Sequence, residues 1–136
     1  MQSSPPPVSD VTAAFTIAGI LGATGVALGA FGAHALKGAM ATAVDGAQRL
    51  AWWETATNYH LLHALLAAVC AGLIQRSPRA RIPLMLCIVG TMLFSGSLYV
   101  MTLTNFRILG AITPLGGLAF IGAWIGLIVA VRRPAG

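Results

Sequence analysis

Four long apolar runs, separated by short polar segments, dominate the chain. They cover residues 11–33, 55–75, 82–104 and 110–131, and none contains Asp, Glu, Lys or Arg. A helix needs about 20 apolar residues to cross roughly 30 Å of hydrocarbon, and each run is long enough. Because the runs do not alternate between polar and apolar residues, they indicate helices and not the strands of a membrane barrel. The pattern predicts an all-α protein, a four-helix transmembrane bundle.

The segment before the first run is rich in proline and serine. Residues 1–10 read MQSSPPPVSD, and we expect a disordered tail there, followed by one four-helix membrane domain at residues 11–133. The composition agrees, since 57% of the residues are hydrophobic and only 8% are charged. A soluble domain carries about 25% charged residues. The expected surrounding is therefore a lipid bilayer.

The basic residues stand at the ends of the apolar runs. The net charge is +5, but the bases are too few and too scattered to form a nucleic-acid surface, so no nucleic-acid partner is expected. They indicate orientation instead, because Lys and Arg concentrate in cytoplasmic loops. One side carries more bases than the other: Arg76, Arg79, Arg81, Arg132 and Arg133 against Lys37, Arg49 and Arg107. We expect both termini in the cytoplasm.

Small residues recur along the first and fourth runs at the spacing of a helix contact. The first run offers Gly22, Gly25 and Gly29, and the fourth offers Gly126 with Gly122 beside it. An average spacing of about 3.5 residues fits a left-handed supercoil, and small side chains let helix backbones approach closely in lipid. We expect these glycines to pack helices within one bundle. A contact between copies in a homo-oligomer is the alternative.

The polar residues of the runs gather at one end of the predicted bundle. They close the first and third runs and open the second: His34, Glu54, Asn58, Tyr59, His63, Ser95, Tyr99 and Thr102. Polar groups within a bilayer usually face the interior of a bundle or a water-filled cavity. We therefore expect a shallow polar pocket between the second and third helices, with His34 near its rim.

Three chemical interpretations of this end remain open. His34, His60 and His63 could hold a metal or haem, because imidazole is the commonest metal ligand. Glu54 and the histidines could take part in proton-coupled transport, although no carboxylate lies within a run. In the third interpretation the polar groups hydrogen-bond one another and fix helix register. We favour this structural interpretation and expect no catalytic residue, no metal and no cofactor.

Several short motifs together resemble a known family. They are GAFGAHALK at residues 29–37, WETA at 53–56, Tyr59 with His63 and Ala64, GSLY at 96–99, ITPLGG at 112–117 and the segment 122–124. This set is similar to the YgdD-like small membrane proteins, a domain-of-unknown-function family with a vertebrate transmembrane relative. The resemblance covers nearly the whole chain after the tail.

The resemblance implies a four-span integral protein of the bacterial inner (plasma) membrane. His34 and His63 match the family pattern, whereas His60 stands where a glutamine is expected, so a metal site that needs His60 would be peculiar to this chain. The family brings no established activity. We expect a structural protein or an accessory of a larger membrane complex. A small oligomeric transporter or channel is the alternative, and a haem- or metal-binding subunit is the third.

Overall fold

Four helices form the computed structural model, which describes residues 7–132. They are α1 (Val8–Met40), α2 (Gly46–Leu73), α3 (Pro78–Thr104) and α4 (Arg107–Val131), and each is long and apolar enough to cross a membrane. No strand occurs within residues 7–132. The predicted all-α architecture with four spans is confirmed.

The helices extend beyond the apolar runs that predicted them. Helix α1 begins at Val8, inside the segment expected to be disordered, and continues to Met40. The rest of that segment, residues 1–6, lies outside the described part of the chain. Helix α2 begins at Gly46, well before the apolar run that starts at Thr55. The difference arises because hydrophobicity marks the depth of the bilayer, whereas helical hydrogen bonding continues into the interface.

Two helices contain a wider π-helical turn. It covers Gly32–Leu36 in α1 and Thr91–Ser95 in α3. A π turn changes the angular position of the side chains that follow it and is often found at functional sites. In this protein both turns lie in polar or glycine-rich segments. They therefore set which side chains of α1 and α3 face the neighbouring helices.

The bundle consists of two helix pairs joined through its middle. Helix α1 packs along α2, α4 packs along α3, and α2 contacts α3 over much of its length. The half of the bundle that holds the start of α1 has an apolar core made of small residues and leucines. Its buried members include Ala14, Ala18, Leu21, Ala67, Cys70, Ala71, Leu84, Cys87, Ala123 and Ala130.

The glycines of α1 do not all serve the contact with α2. A Cβ atom built on Gly25 would lie 2.7 Å from Leu61 Cδ2, and one on Gly29 would lie 3.2 Å from Thr57 Cγ2. These two glycines therefore hold α1 close to α2. A Cβ on Gly22 would meet nothing within 4 Å. The structure thus corrects the prediction for Gly22, which faces an open groove between α1 and α2 although it lies on nearly the same face of α1 as Gly29.

The glycines of α4 face α3. A Cβ atom on Gly122 would lie 3.3 Å from Leu86 Cδ1, and one on Gly126 would lie 3.2 Å from Pro83 Cβ. The closest approach involves Gly116, which the sequence did not single out. A Cβ there would lie 2.7 Å from Phe94 Cβ and 2.8 Å from Phe94 Cα. Gly116 therefore faces backbone, at the π turn of α3.

Ion pairs fasten the bundle at both of its ends. At one end the Arg81 guanidinium on α3 pairs with the Asp10 carboxylate on α1. At the other end the Arg107 guanidinium pairs with the Asp45 carboxylate at 3.1 Å, and Arg49 lies 3.8 Å from the same carboxylate. The end that carries Asp45 is the polar end of the bundle, and we refer to it by that name below.

Candidate functional site

The predicted pocket between α2 and α3 is divided among several contacts in the structure. Tyr59 and His63 are four residues apart and share one face of α2, where their rings stack, whereas His60 lies on another face. His60 faces α1 and α3, whereas His63 faces α4. Glu54 and Asn58 line a groove beside α1. The expectation of one shared pocket is therefore wrong. It failed because α2 is the central helix and contacts all three others.

His60 stands in the middle of a polar chain that crosses from α1 to α3. Its Nε2 lies 3.5 Å from Thr24 Oγ1, and its Nδ1 lies 3.3 Å from the Tyr99 hydroxyl. That hydroxyl donates to Thr57 Oγ1 at 3.4 Å. The Tyr99 ring also packs against Trp53, with ring centroids 4.6 Å apart. Tyr99 is thus part of a contact that links three helices.

His63 sits among aromatic side chains between α2 and α4. Its Nδ1 lies 2.8 Å from the Tyr59 carbonyl oxygen, and the Trp124 indole N–H donates to its Nε2 at 3.3 Å. The His63 ring stacks on Phe120 with centroids 3.5 Å apart. Because an indole nitrogen only donates and a carbonyl only accepts, this arrangement requires a neutral imidazole with its proton on Nδ1.

Ser95 and Thr102 join α2 to α3. The Ser95 hydroxyl donates to the Ala56 carbonyl at 2.8 Å. The Thr102 hydroxyl lies 3.1 Å from the Arg49 carbonyl oxygen and 2.8 Å from that of Leu98. Both side chains are completely buried. Their polar atoms are used in fixing one helix against the other.

The Arg49 guanidinium binds the exposed carbonyls at the end of α3. Its Nε donates to the Thr102 carbonyl at 2.7 Å, and its Nη2 donates to the Leu103 carbonyl at 3.1 Å. The last carbonyls of a helix have no partner within the helix, and a basic side chain there also interacts favourably with the helix dipole. Arg49 therefore binds α2 to α3 at the polar end.

Glu54 and Asn58 line a groove of about 300 Å³ between α1 and α2. Both side chains are exposed, and the α1 side of the groove is formed by Gly29, Gly32 and Ala33. This groove is open and has polar side chains in its lining. It lies beside α1 and not between α2 and α3, where the pocket was expected.

His34 is exposed in the π turn of α1. It was expected at the rim of the pocket. Within residues 7–132 its ring makes no side-chain hydrogen bond, so it does not tie neighbouring helix ends together. The three histidines also do not meet. No group of three His, Cys, Asp or Glu residues is placed to hold a metal ion in the described part of the chain.

Three contributors to these contacts were not singled out from sequence as site residues. His60 was set aside because it departs from the family pattern. Trp124 is distant in sequence from the other polar residues, and Arg49 was used only as a charge that indicates orientation. The sequence did contain a signal for Arg49. A basic residue just before the second apolar run lies at the same end of the bundle as the end of the third run, where helix carbonyls lack partners. No sequence spacing pairs Trp124 with His63, since they are 61 residues apart.

Comparison with known proteins gives the family. The family described as "Protein of unknown function (DUF423)" matches residues 28–117. The chain belongs to the DUF423 family. The UPF0382 membrane protein YwdK of Bacillus subtilis is 42% identical to this DUF423 chain over 123 residues, covering 88% of the chain and 96% of YwdK. A UPF0382 membrane protein of Staphylococcus aureus is 41% identical over 125 residues, covering 90% and 98%.

A further relative carries a more specific name. The UPF0382 inner membrane protein YgdD of Escherichia coli K12 is 37% identical to the DUF423 chain over 122 residues, covering 85% of the chain and 86% of YgdD. No solved structure matches the chain. The resemblance to the YgdD-like proteins is therefore confirmed. The DUF423 match contains all eight residues of the expected polar pocket, whereas Trp124 lies beyond it.

Proposed function

We propose that this DUF423 chain is a structural or accessory protein of the bacterial inner membrane and carries no catalytic activity of its own. Membrane residence follows from the four spanning helices and from the family. The choice of the inner membrane is supported by the relative YgdD of Escherichia coli, which is named as an inner membrane protein. The family description names no reaction, so the proposal depends on the contacts within the bundle.

The observation that carries the proposal is how the buried polar side chains are used. His60, His63, Ser95 and Thr102 are buried, and each places a polar atom against a partner on a neighbouring helix. A catalytic or transport site needs polar groups that remain available to a substrate. In this bundle those groups hold α1, α2, α3 and α4 in register, which is a structural task.

The alternative of a small transporter or channel needs more than one copy. The half of a single copy opposite the polar end is filled by the apolar core of small residues and leucines. Within residues 7–132 that core offers no line of polar side chains across the membrane. A water-filled path would therefore have to run between copies, along surfaces that a single bundle exposes to lipid.

Isolation from the native membrane tests the accessory proposal. A tagged chain at its natural level would be extracted with a polymer that retains native lipid and weighed by native mass spectrometry. We expect a mass that includes another protein in fixed proportion. The control is an unrelated four-span protein of the same membrane with the same tag. A chain recovered alone, or as copies of itself only, would contradict the accessory proposal.

We further propose that both termini face the cytoplasm. Arg76, Arg79 and Arg81 flank the short connection between α2 and α3, and Arg132 follows α4 on the same side. Lys37, Arg49 and Arg107 are on the side of the polar end. The larger number of bases is expected on the cytoplasmic side. The polar end then faces outward.

Labelling of single cysteines tests this orientation. Cys70 and Cys87 are completely buried, so new surface cysteines would react with a membrane-impermeant maleimide against a low background. Thr42 and Gln75 are both exposed, at opposite ends of the bundle. In intact cells with a permeable outer envelope we expect Thr42→Cys, beside the polar end, to be labelled and Gln75→Cys to be protected. Lysis should expose Gln75→Cys. The reverse pattern would show that the polar end faces the cytoplasm.

A further inference from the structure

Helices α1 and α2 leave a long open groove on one outer side of the bundle. Near the polar end it is the groove of about 300 Å³ that contains Glu54 and Asn58. Deeper in the membrane, a second groove of about 480 Å³ lies between the same two helices. Its walls are apolar and include Gly22, Val26 and Leu65. We call the two together the α1–α2 crease.

The two grooves open on the same side of the helix pair. On α1, Val26, Gly29 and Ala33 are separated by three and four residues, so they share one face. On α2, Glu54, Asn58 and Leu65 fall within a narrow sector when each residue is given about 100° of rotation. The two grooves therefore follow one line along the outside of the helix pair. The part near the polar end is polar, and the deeper part is apolar.

Glu54 is the acid without an internal partner. In the described part of the chain Asp10 pairs with Arg81 and Asp45 pairs with Arg107, whereas Glu54 forms no ion pair. Its side chain is exposed at the head of the crease, and Asn58 lies one turn deeper on the same side. A carboxylate at the edge of the hydrocarbon is expected to recruit a cationic or hydrogen-bond-donating partner.

A base stands just beyond the same groove. Lys37 comes directly after the π turn Gly32–Leu36, about one turn farther out along α1 than Ala33. Lys37 is exposed and forms no ion pair within residues 7–132. The head of the crease thus offers an anion, an amide and, farther from the membrane, a cation.

We propose that the α1–α2 crease binds one phospholipid with an ammonium headgroup, such as phosphatidylethanolamine. The ammonium donates hydrogen bonds to the Glu54 carboxylate, and the Asn58 amide nitrogen, one turn deeper, donates to the lipid phosphate. One acyl chain follows the apolar continuation past Val26 and Leu65 and covers Gly22. In this headgroup the phosphate is attached to the glycerol and the ammonium lies farther out, which matches the order of Asn58 and Glu54 along α2.

A flexible lipid fits this surface better than a second copy of the chain. A twofold contact through this side would place one concave crease against another and leave a void between them, which lipid or water would have to fill. It would also bring two Glu54 carboxylates to the same level of the membrane. An acyl chain can follow the floor of the crease without either cost.

Lipid retention in native mass spectrometry tests the proposal. The full chain in detergent would be given equal amounts of phosphatidylethanolamine and phosphatidylglycerol. We expect one phosphatidylethanolamine to be retained with roughly tenfold preference, which corresponds to one charge-assisted hydrogen bond. Glu54→Gln should reduce this preference to near unity, and Glu54→Lys should favour phosphatidylglycerol.

A matched pair of substitutions in α1 tests the apolar part of the crease. A Cβ on Gly22 would meet nothing within 4 Å, so Gly22→Leu should fill the crease and weaken lipid retention while the bundle unfolds as the unmodified protein does. Ala23→Leu adds the same side chain at nearly the same depth, but Ala23 is exposed and does not line the crease. It should leave retention unchanged.

Three results would overturn the proposal. The first is equal uptake of the two lipids by the unmodified chain. The second is a preference for phosphatidylethanolamine that survives Glu54→Gln. The third is a dimer or a bound protein in place of lipid, lost in Gly22→Leu and kept in Ala23→Leu, which would assign the crease to a helix of another chain.

Discussion

Ser95 illustrates how single side chains hold this bundle together. Its hydroxyl is completely buried and donates to the Ala56 carbonyl on α2, 2.8 Å away. In lipid there is no water to replace such a hydrogen bond, and the hydrophobic effect does not drive one helix against another. Small polar contacts and close packing must therefore set the register of α2 against α3.

Ser95→Ala should lower the stability of the bundle by a small but measurable amount. Interhelical hydrogen bonds in membrane proteins contribute about 0.6 kcal/mol on average and up to about 1.7 kcal/mol. We expect a loss in that range, because the substitution removes the hydroxyl and leaves the Ala56 carbonyl with only its bond within α2. The free energy of unfolding would be measured in mixed micelles with increasing denaturing detergent.

Thr16→Val provides the control for Ser95→Ala. The Thr16 hydroxyl is exposed and donates to the Thr12 carbonyl within α1 at 2.9 Å, so its loss breaks no contact between helices. The unfolding free energy should stay within error of that of the unmodified protein. Equal losses in the two variants would mean that the Ser95 contact does not join the helices.

The two histidines of α2 differ only in their surroundings. His60 connects hydroxyls on α1 and α3, and His63 accepts the Trp124 indole proton while stacking on Phe120. The sequence placed both on the same short stretch of helix. The sequence could not show that His60 contacts α1 and α3 while His63 contacts α4, since that depends on which helix lies next to which face of α2.

At the scale of the elements, α3 and α4 approach most closely where the start of α4 meets the π turn of α3. Gly116 faces the backbone of Phe94 within Thr91–Ser95. The π turn brings that backbone outward, and only a residue without a side chain can pack against it. The same turn buries the hydroxyl of Thr91, which has no hydrogen-bond partner in the described part of the chain.

Gly116→Ala should destabilise the bundle, and Gly117→Ala should not. The added methyl group at Gly116 would lie 2.7 Å from Phe94 Cβ, so α3 and α4 must move apart, at a cost of about 1–3 kcal/mol typical of overpacking. At Gly117 the nearest atom would be Phe94 Cδ2 at 3.9 Å, which is an ordinary contact. Thermal unfolding followed by circular dichroism in detergent would compare the two variants. Similar transition temperatures would contradict the close approach.

At the scale of the whole molecule, the two halves of the bundle have different interiors. The polar end holds the hydrogen-bonded histidines, hydroxyls and arginines, whereas the other half holds alanines, leucines and the two buried cysteines. An unbroken apolar layer about half a membrane thick is a strong barrier to ions, since each charge placed there costs several kcal/mol.

Purified protein in liposomes should not conduct protons or small ions. A pH-sensitive dye inside the vesicles would report proton entry after an imposed gradient, and we expect the rate to equal that of protein-free vesicles. Vesicles treated with a known proton carrier would serve as the positive control. A flux that rises with the amount of protein and disappears in Glu54→Gln would support the transporter alternative and contradict the structural proposal.

The sequence by itself determined the surroundings and the class of the fold. Runs of more than about twenty uncharged residues can satisfy their backbone groups in lipid only as helices, so the number of spans followed directly. The concentration of polar residues at one end also followed, because depth along a straight helix is proportional to residue number. Gly25, Gly29, Gly122 and Gly126 were placed on helix contacts by the same periodicity.

Only the tertiary structure decided which polar groups meet. The angular position of a side chain depends on π turns that periodicity does not reveal, and its partner depends on how the helices are arranged around α2. The expected pocket is therefore divided into two hydrogen-bonded contacts and an open groove. Gly116 meets the π turn of α3, and Gly22 faces an open groove between α1 and α2. In lipid every helix face is apolar, so hydropathy alone does not tell which faces touch one another.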